Sequence, residues 1–328
     1  MSKKPRILVA RAIFPDQLAK LEESFEVRSN QADQVFTSEE LQKELSNVVG
    51  ALVAGSERVD ASALANAKNL KIVANIAVGY NNFDIPAMTA AGVMASNTPG
   101  VLTDTTADFG FALLMATARR ITESERWIRD GLWDQWSIVH NPLGMDLHHS
   151  TLGIIGMGRI GQGIAKRALA FGMKVIYHNR SRLPEADEKA CGATYVSKEE
   201  LLRPADHVIL VLPYTAQNHH TIGAKEIALM KPTATLVNIA RGGIVDDLAL
   251  AQALKENKIF AAGLDVFEGE PIVNPELLKL SNVVLAPHIA SASEKTRRAM
   301  VDLAVDNLRA ALAGQKPPSL INTELFKA

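Results

Sequence analysis

The stretch TLGIIGMGRIGQGIA, beginning at Thr151, constrains the chain more than any other. It sets Gly156, Gly158 and Gly161 as G-x-G-x-x-G between an apolar strand run and the opening of a helix. In that setting the first glycine permits a tight turn, the second lets the backbone approach a pyrophosphate, and the third lets helix and strand pack closely. The helix N-terminus then offers unpaired N–H groups and the positive end of a dipole to phosphates. Arg159 and Ile160 stand inside the same turn. A dinucleotide site on a doubly wound parallel sheet is the expectation.

The fingerprint arrives late. Before it, RILVA at 6–10, GALVAG at 50–55, KIVANI at 71–76 and GVMASN at 92–97 read as strands separated by amphipathic stretches, the alternation that argues for parallel strands and crossover helices. Thr37-x-x-Glu40 looks like a capping box opening one of those helices. A long helical pattern covers 105–131, and 132–150, with Trp133 and Trp136, lacks periodicity. A loop of that length usually serves a function or an interface, so a subunit contact is expected there. From Thr151 a second alternation begins, with strand runs at 151–156, 174–178, 207–212, 234–239, 260–264 and 283–286 that fill a second sheet. A final helix, opened by Ser291-x-x-Glu294, runs to about 314 and is expected to return to the first domain, with QKPPSLINTELFKA behind it as a tail.

The fold class expected is therefore α/β, with two doubly wound parallel-sheet domains. One, discontinuous, spans 1–100 and 292–328; the other, 101–291, carries the glycine fingerprint and binds the dinucleotide.

The tip of the second strand after the fingerprint, KVIYHN followed by RSRL, faces the adenine ribose of a bound dinucleotide. NAD-binding units usually carry an acid there for the ribose hydroxyls. This chain has Asn179, Arg180, Ser181 and Arg182 instead. Nothing repels a 2′-phosphate, and both arginines are placed to make charge-assisted bonds to it. NADP is the expected cofactor, with NAD less preferred.

In doubly wound sheets ligands sit beyond the carboxyl ends of the strands, where NIARGG at 238–243, GLDVFEGEP at 263–271 and PHIASAS at 287–293 fall. Hydride reduction of a 2-oxo acid needs a cation for the carboxylate and ketone oxygen, a proton donor for the alkoxide, and a group that keeps the donor protonated. Arg241, His288 and Glu270 meet those needs. A carboxylate at about 4–6 Å favours the charged form of a histidine, so Glu270 suits the task of holding His288 as imidazolium. Taken singly, each has an ordinary alternative as surface ion pair, loop charge or core histidine.

The order VGYNNFD, GMGRIG, NIARGG, GLDVFEGEP and PHIASAS resembles the D-isomer-specific 2-hydroxyacid dehydrogenase family over essentially the whole chain. SNTPGVLTDTTAD, HHSTLGIIGMGRIG and AAGLDVFEGEP are most similar to its glyoxylate/hydroxypyruvate reductase and 2-ketogluconate reductase branch. The resemblance implies a substrate domain from both chain ends, a central nucleotide domain, an interdomain cleft and a homodimer. It makes Arg241 the substrate arginine, Glu270 the glutamate of the pair and His288 the acid/base. Val78 and Gly79 match a loop whose amides bind the substrate carboxylate, as consecutive N–H groups in a turn can. Asp265 matches the acid near the nicotinamide amide, and Thr106 a cofactor contact. Leu212 and Pro213 match a strand-end contact, with Ile239 and Ala240 carried over beside them. Ser56, with Ala54 and Gly55, is expected on the pocket wall. Ala290 departs from the family, which frequently has glycine there.

A formal net charge of −1 gives no electrostatic case for nucleic acid or an anionic membrane. No apolar run approaches the roughly 20 residues that span a bilayer. One cysteine, Cys191, cannot form an internal disulfide. A cytoplasmic enzyme acting on a small 2-oxo or 2-hydroxy acid is the expectation. The alternatives are an NAD-dependent D-lactate or phosphoglycerate type of dehydrogenase, disfavoured by the missing ribose acid, and a nucleotide-sensing scaffold, which has no need of all three polar residues. A formate dehydrogenase is disfavoured by Glu270, since those relatives resemble a site with glutamine facing the histidine. His148–His149 and His219–His220 are expected in surface or loop roles, because adjacent side chains on a helix or strand do not share a face.

Overall fold

The computed structural model describes residues 4–326. They fall into two compact units, one built from the chain up to Leu102 and from Ser293 onward, the other Thr103–Ala292.

The first unit holds a five-stranded parallel sheet of β1 (Arg6–Val9), β2 (Glu26–Ser29), β3 (Gly50–Val53), β4 (Ile72–Asn75) and β5 (Met94–Ser96), in the order β2-β1-β3-β4-β5. β1, β3 and β4 are apolar and almost wholly buried, as strands covered on both faces must be. β2, reading EVRS, has no apolar run and is half exposed at the sheet edge, which hides it from sequence reading. Thr37 and Glu40 form the reciprocal capping box at the helix Ser38–Leu45. The last helix, Glu294–Leu312, lays Val301, Ala304, Val305, Leu308 and Ala311 against Ile7, Val9, Leu52 and Ile72. Its cap is Ser293, not Ser291 as the S-x-x-E spacing suggested: Ser293 Oγ accepts from Thr296 N, while Ser291 sits in the turn before it. Nor is the segment behind it a loose tail. Asn322 Oδ1 accepts from Ala95 N and Ile321 N donates to Ala95 O, tying the chain to β5.

The second unit holds seven parallel strands: β6 (Thr151–Ile155), β7 (Lys174–His178), β8 (Ala193–Tyr195), β9 (His207–Leu210), β10 (Thr235–Asn238), β11 (Ala261–Leu264) and β12 (Val283–Leu285). Their order is β12-β11-β10-β9-β6-β7-β8, so six expected strands are joined by a short seventh, β8, at the edge. The pattern expected as one helix over 105–131 breaks into Thr103–Ala118 and Ile121–Arg129 because Arg120 takes φ 52°. The first of these belongs to the core: Ala107, Phe111, Leu113 and Leu114 pack with Ile154, Ile164 and Val237. Leu113 is thus core of this unit.

Candidate active site

The glycine loop leaves β6 at its carboxyl end, beside β9, where the strand order reverses. Gly156 has φ 105°, and a Cβ there would lie 2.4 Å from Val211 O, so only glycine permits this turn against the end of β9. A Cβ on Gly161 would lie 2.3 Å from Gly156 O. Gly158 differs: nothing lies within 4 Å of its Cβ position. It caps the helix Arg159–Ala170 without any side-chain cap, and Arg159 is exposed and Ile160 half-buried at its start. Thr106, almost fully buried, has a hydroxyl with no hydrogen-bond partner among the described residues. Open space over Gly158, an uncapped helix start and an orphaned buried hydroxyl are what a dinucleotide would use. The residues present fit that group.

At the tip of β7, Asn179 Oδ1 accepts from Met157 N at 2.7 Å, which fastens the strand end to the glycine loop. The two arginines beyond it are not equivalent, as the sequence reading had treated them. Arg182 is already engaged: its Nε and Nη2 lie 3.0 and 2.6 Å from the carboxylate of buried Glu188. Tyr177 OH donates to the same carboxylate at 2.6 Å and accepts from Leu183 N. Burial, then the bond to Glu188, pushes the Tyr177 phenol up to about 12. The Arg182 and Tyr177 bonds hold the Glu188 carboxyl below its ordinary value. Arg180 and Ser181 are exposed and make no hydrogen bond or ion pair among the described residues.

Arg241, Glu270 and His288 follow β10, β11 and β12 in this sheet. His288 Nδ1 donates to Glu270 Oε2 at 2.7 Å, and Glu270 Oε1 accepts from Phe267 N. Burial alone would raise the Glu270 carboxyl, but the His288 hydrogen bond and charge, with Arg241 behind them, leave it below its ordinary value. Burial lowers the Arg241 guanidinium from its ordinary value, opposed by the charge of Glu270; its Nη1 donates to Ala240 O. An arginine nevertheless stays charged in a protein.

His288 has φ 55°, a backbone state that costs of order 1–3 kcal/mol outside glycine and must be held by its surroundings. Asp265, fully buried, does the holding. Its Oδ1 accepts from Ile289 N at 2.7 Å, its Oδ2 from Ala290 N at 2.9 Å, and its carbonyl from His288 N. Burial raises the Asp265 carboxyl and these amides partly offset it. The residue read as a nicotinamide neighbour is thus first a brace for the histidine turn. Ala290 is buried beside it.

Gly242, which had been given no role, brings the Arg241 turn onto the Glu270 loop. A Cβ there would stand 1.8 Å from Phe267 O, so the close approach exists only because the side chain is absent. The doubled glycine after Arg241 was the available signal. Ile239 and Ala240 are buried, and Ala240 N is held by Asn238 Oδ1. Leu212 and Pro213 follow β9 directly after Val211, the residue the glycine turn abuts.

In the five-stranded unit, Val78 and Gly79 lie in the loop after β4. Their carbonyls accept from Asn97 Nδ2 and Asn75 Nδ2, while their N–H groups make no hydrogen bond among the described residues. Two fixed carbonyls and two free amides make a turn suited to an anion. Ser56 is instead turned onto Glu57: its Oγ donates to Oε1, and Ala54 N donates to Oε2. Glu57 is buried and went unnoticed in the sequence.

A parallel sheet with an uncapped glycine turn, and an Arg, Glu and His at neighbouring strand ends, defines a nucleotide-binding oxidoreductase. Residues 111–290 match the family model described as D-isomer specific 2-hydroxyacid dehydrogenase, NAD binding domain. A glyoxylate reductase of Thermococcus gammatolerans is 46% identical over 327 residues, covering 99% of this chain and 98% of the relative. One of Korarchaeum cryptofilum is 47% identical over 329 residues, with the same coverage. Among solved structures, an NADPH-dependent glyoxylate/hydroxypyruvate reductase from Sinorhizobium meliloti, in complex with NADP and malonate, superposes with a TM-score of 0.87 at 35% identity over 99% of each chain. The chain belongs to the D-isomer specific 2-hydroxyacid dehydrogenase family. Among the described residues no helix is long and apolar enough to cross a membrane.

Proposed function

We propose that this protein reduces small 2-oxo acids, glyoxylate and hydroxypyruvate first and 2-ketogluconate as a further candidate, to D-2-hydroxy acids, with NADPH preferred over NADH. The observation that carries the reading is the 2.7 Å bond between His288 Nδ1 and Glu270 Oε2, with the Arg241 charge acting on the same glutamate.

NADPH, when bound over Gly156, Gly158 and Gly161 with Thr106 and the backbone at Leu212, Pro213, Ile239 and Ala240, supplies the hydride. Arg241 polarises the ketone and holds the substrate carboxylate. Glu270 fixes the imidazole through Nδ1, so Nε2 of His288 is the nitrogen that gives its proton to the alkoxide oxygen as it forms. Asp265 keeps that imidazole in place through the backbone of the turn. In the five-stranded unit the free amides of Val78 and Gly79 are suited to a carboxylate, and Ser56 presents its Glu57-bound hydroxyl near the end of β3.

Arg180 and Ser181 are the proposed 2′-phosphate contacts; Arg182 shapes the loop through Glu188. Initial rates with NADPH and NADH, in the wild type and in Arg180→Ala, test this. Loss of a charge-assisted bond predicts an NADPH KM raised at least about tenfold with the NADH KM unchanged. Equal use of NADH by the wild type would return the assignment to an NAD-dependent D-2-hydroxyacid dehydrogenase.

A second copy of the chain is the proposed partner. Trp133, Trp136, Ile138, Val139 and Leu143 expose more than half of their surface along 132–143, a stretch of apolar surface that monomers rarely leave uncovered. The mass of the particle in solution tests it.

A further inference from the structure

Adjacent histidines on a regular strand or helix face different ways, the ground on which His219 and His220 are discounted as ligands in the sequence. The backbone here is not regular. His220 takes φ 50°, and that turn brings the two rings into a stack with centroids 3.8 Å apart and planes 24° apart. Glu268 comes to them from the loop after β11: His220 Nε2 lies 2.8 Å from its Oε1. One donor atom from each of His219, His220 and Glu268 lies within 4.8 Å of the other two. Behind His220, on its Nδ1 side, stands the Asp246 carboxylate at 3.8 Å. A carboxylate behind a ligating imidazole is the usual outer support of a metal-bound histidine.

We propose that His219, His220 and Glu268 form a binding site for a divalent transition-metal ion of the zinc class. Two imidazole nitrogens and a carboxylate oxygen are three of the four donors such an ion takes, with water as the fourth. Calcium and magnesium prefer all-oxygen sets, so the chemistry of the donors selects against them. Donors at about 2.0–2.1 Å from one tetrahedral ion sit roughly 3.3 Å apart. The His220–Glu268 separation must therefore open by a few tenths of an ångström, and the stacked rings must turn relative to one another. His219 is the ring that must turn: it is exposed, stacks on His220 and lies edge-on to Tyr214, whose hydroxyl is 3.2 Å from its Nδ1. That contact leaves Nε2 for the ion. Glu268 is in turn steadied by its backbone N–H donating to Asp247 Oδ2 at 3.0 Å. The site draws on none of the groups assigned to hydride or proton transfer, so it stands or falls separately from the proposed reaction.

The test is a titration of chelator-stripped full-length protein with Co2+, followed by visible absorption. One equivalent should bind with the strong bands of a four-coordinate ion and be displaced by Zn2+. His219→Ala should weaken binding by more than the roughly 10–100-fold that loss of an outer partner costs. His219→Cys should keep the site and add a thiolate-to-cobalt charge-transfer band, which a merely structural histidine would not give. The proposal is overturned by the absence of a saturable single equivalent. It is equally overturned by binding unchanged in His219→Ala and lost in His148→Ala, or by His219→Cys without the new band.

Discussion

Both sheets of this molecule reverse their strand order beside one strand, β1 in the five-stranded unit and β6 in the seven-stranded one, and in each that strand feeds a crossover helix. The two turns are chemically opposite. After β6 come glycines and a helix start with no acid in its first turn. After β1 comes Arg11, whose Nε pairs with Asp33 at 3.0 Å and whose Nη1 lies 3.7 Å from buried Glu57. The helix that follows, Pro15–Glu22, begins with a proline that has no N–H to offer, and its first turn is occupied by the ion pair of Asp16 with Arg298. One crevice is left open for a phosphate and the other is filled by the protein's own charges. Topology makes the crevice, and the composition of the first turn decides whether it becomes a site.

The largest effect expected from that contrast is on turnover. If the chemistry belongs to the strand ends of the seven-stranded sheet, His288→Asn should lower kcat by roughly 10²–10⁴, the range for loss of a general acid. Asparagine is the informative substitute because it tolerates the positive φ of that position, so thermal unfolding should move little. Asp16→Asn, in the first turn of the other crossover, should leave kcat unchanged. Steady-state rates for the two variants against the wild type decide it, and a His288→Asn enzyme at near wild-type kcat would remove the histidine from the mechanism.

A smaller effect separates two glycines of one loop. Gly156→Ala puts a methyl against Val211 O and a Cβ at φ 105°, so it should lower stability by more than about 1 kcal/mol and weaken NADPH binding together. Gly158→Ala meets no protein atom. Its methyl occupies the space a pyrophosphate would use, so the NADPH KM should rise roughly tenfold, worth about 1.4 kcal/mol, with the melting temperature unchanged. Fluorescence titration beside thermal unfolding reads both. A fall in stability without a change in NADPH affinity for Gly158→Ala would show that the space serves packing.

What could be read from the chain in advance follows the same division between backbone and side chain. The buried strands announced themselves because a parallel strand covered on both faces is a continuous apolar run; β2 and β8, polar and at sheet edges, carried no such mark. Gly156 and Gly161 were legible because their spacing encodes a turn and a close approach. Gly242 showed only as a doubled glycine after Arg241, since the atom it must avoid, Phe267 O, is far away in sequence. His288 and Glu270 were legible as residue types at strand ends, whereas Asp265 as a brace for the histidine turn depends on a loop geometry that no local pattern reports. Arg182 shows the limit most directly: its charge suited a phosphate, but a buried Glu188 six residues on had the prior claim.

The smallest effect contrasts one buried titratable group from each unit. Burial raises the Glu57 carboxyl, against the Ala54 amide, the Ser56 hydroxyl and the Arg11 charge. Burial lowers His207, which is held between Thr235 Oγ1 and Asp146 O, against that carbonyl and the Asp206 charge. The signs oppose. Folded Glu57 binds its proton more tightly than the unfolded chain does, so its share of stability is present below the ordinary value of 4.5 and is lost as pH rises through the folded value. Folded His207 binds its proton less tightly, so its share is present above the ordinary 6.5 and is lost as pH falls through the folded value. Melting temperatures across this range should therefore diverge from wild type in opposite directions. His207→Asn should gain relative to wild type as pH falls below 6.5, and Glu57→Gln should gain as pH rises above 4.5, each by at most a few degrees. Curves parallel to wild type for His207→Asn would mean that the buried imidazole titrates in the folded protein as it does in water. The desolvation argument for the seven-stranded unit would then fail, while the one for Glu57 would still stand on its own curve.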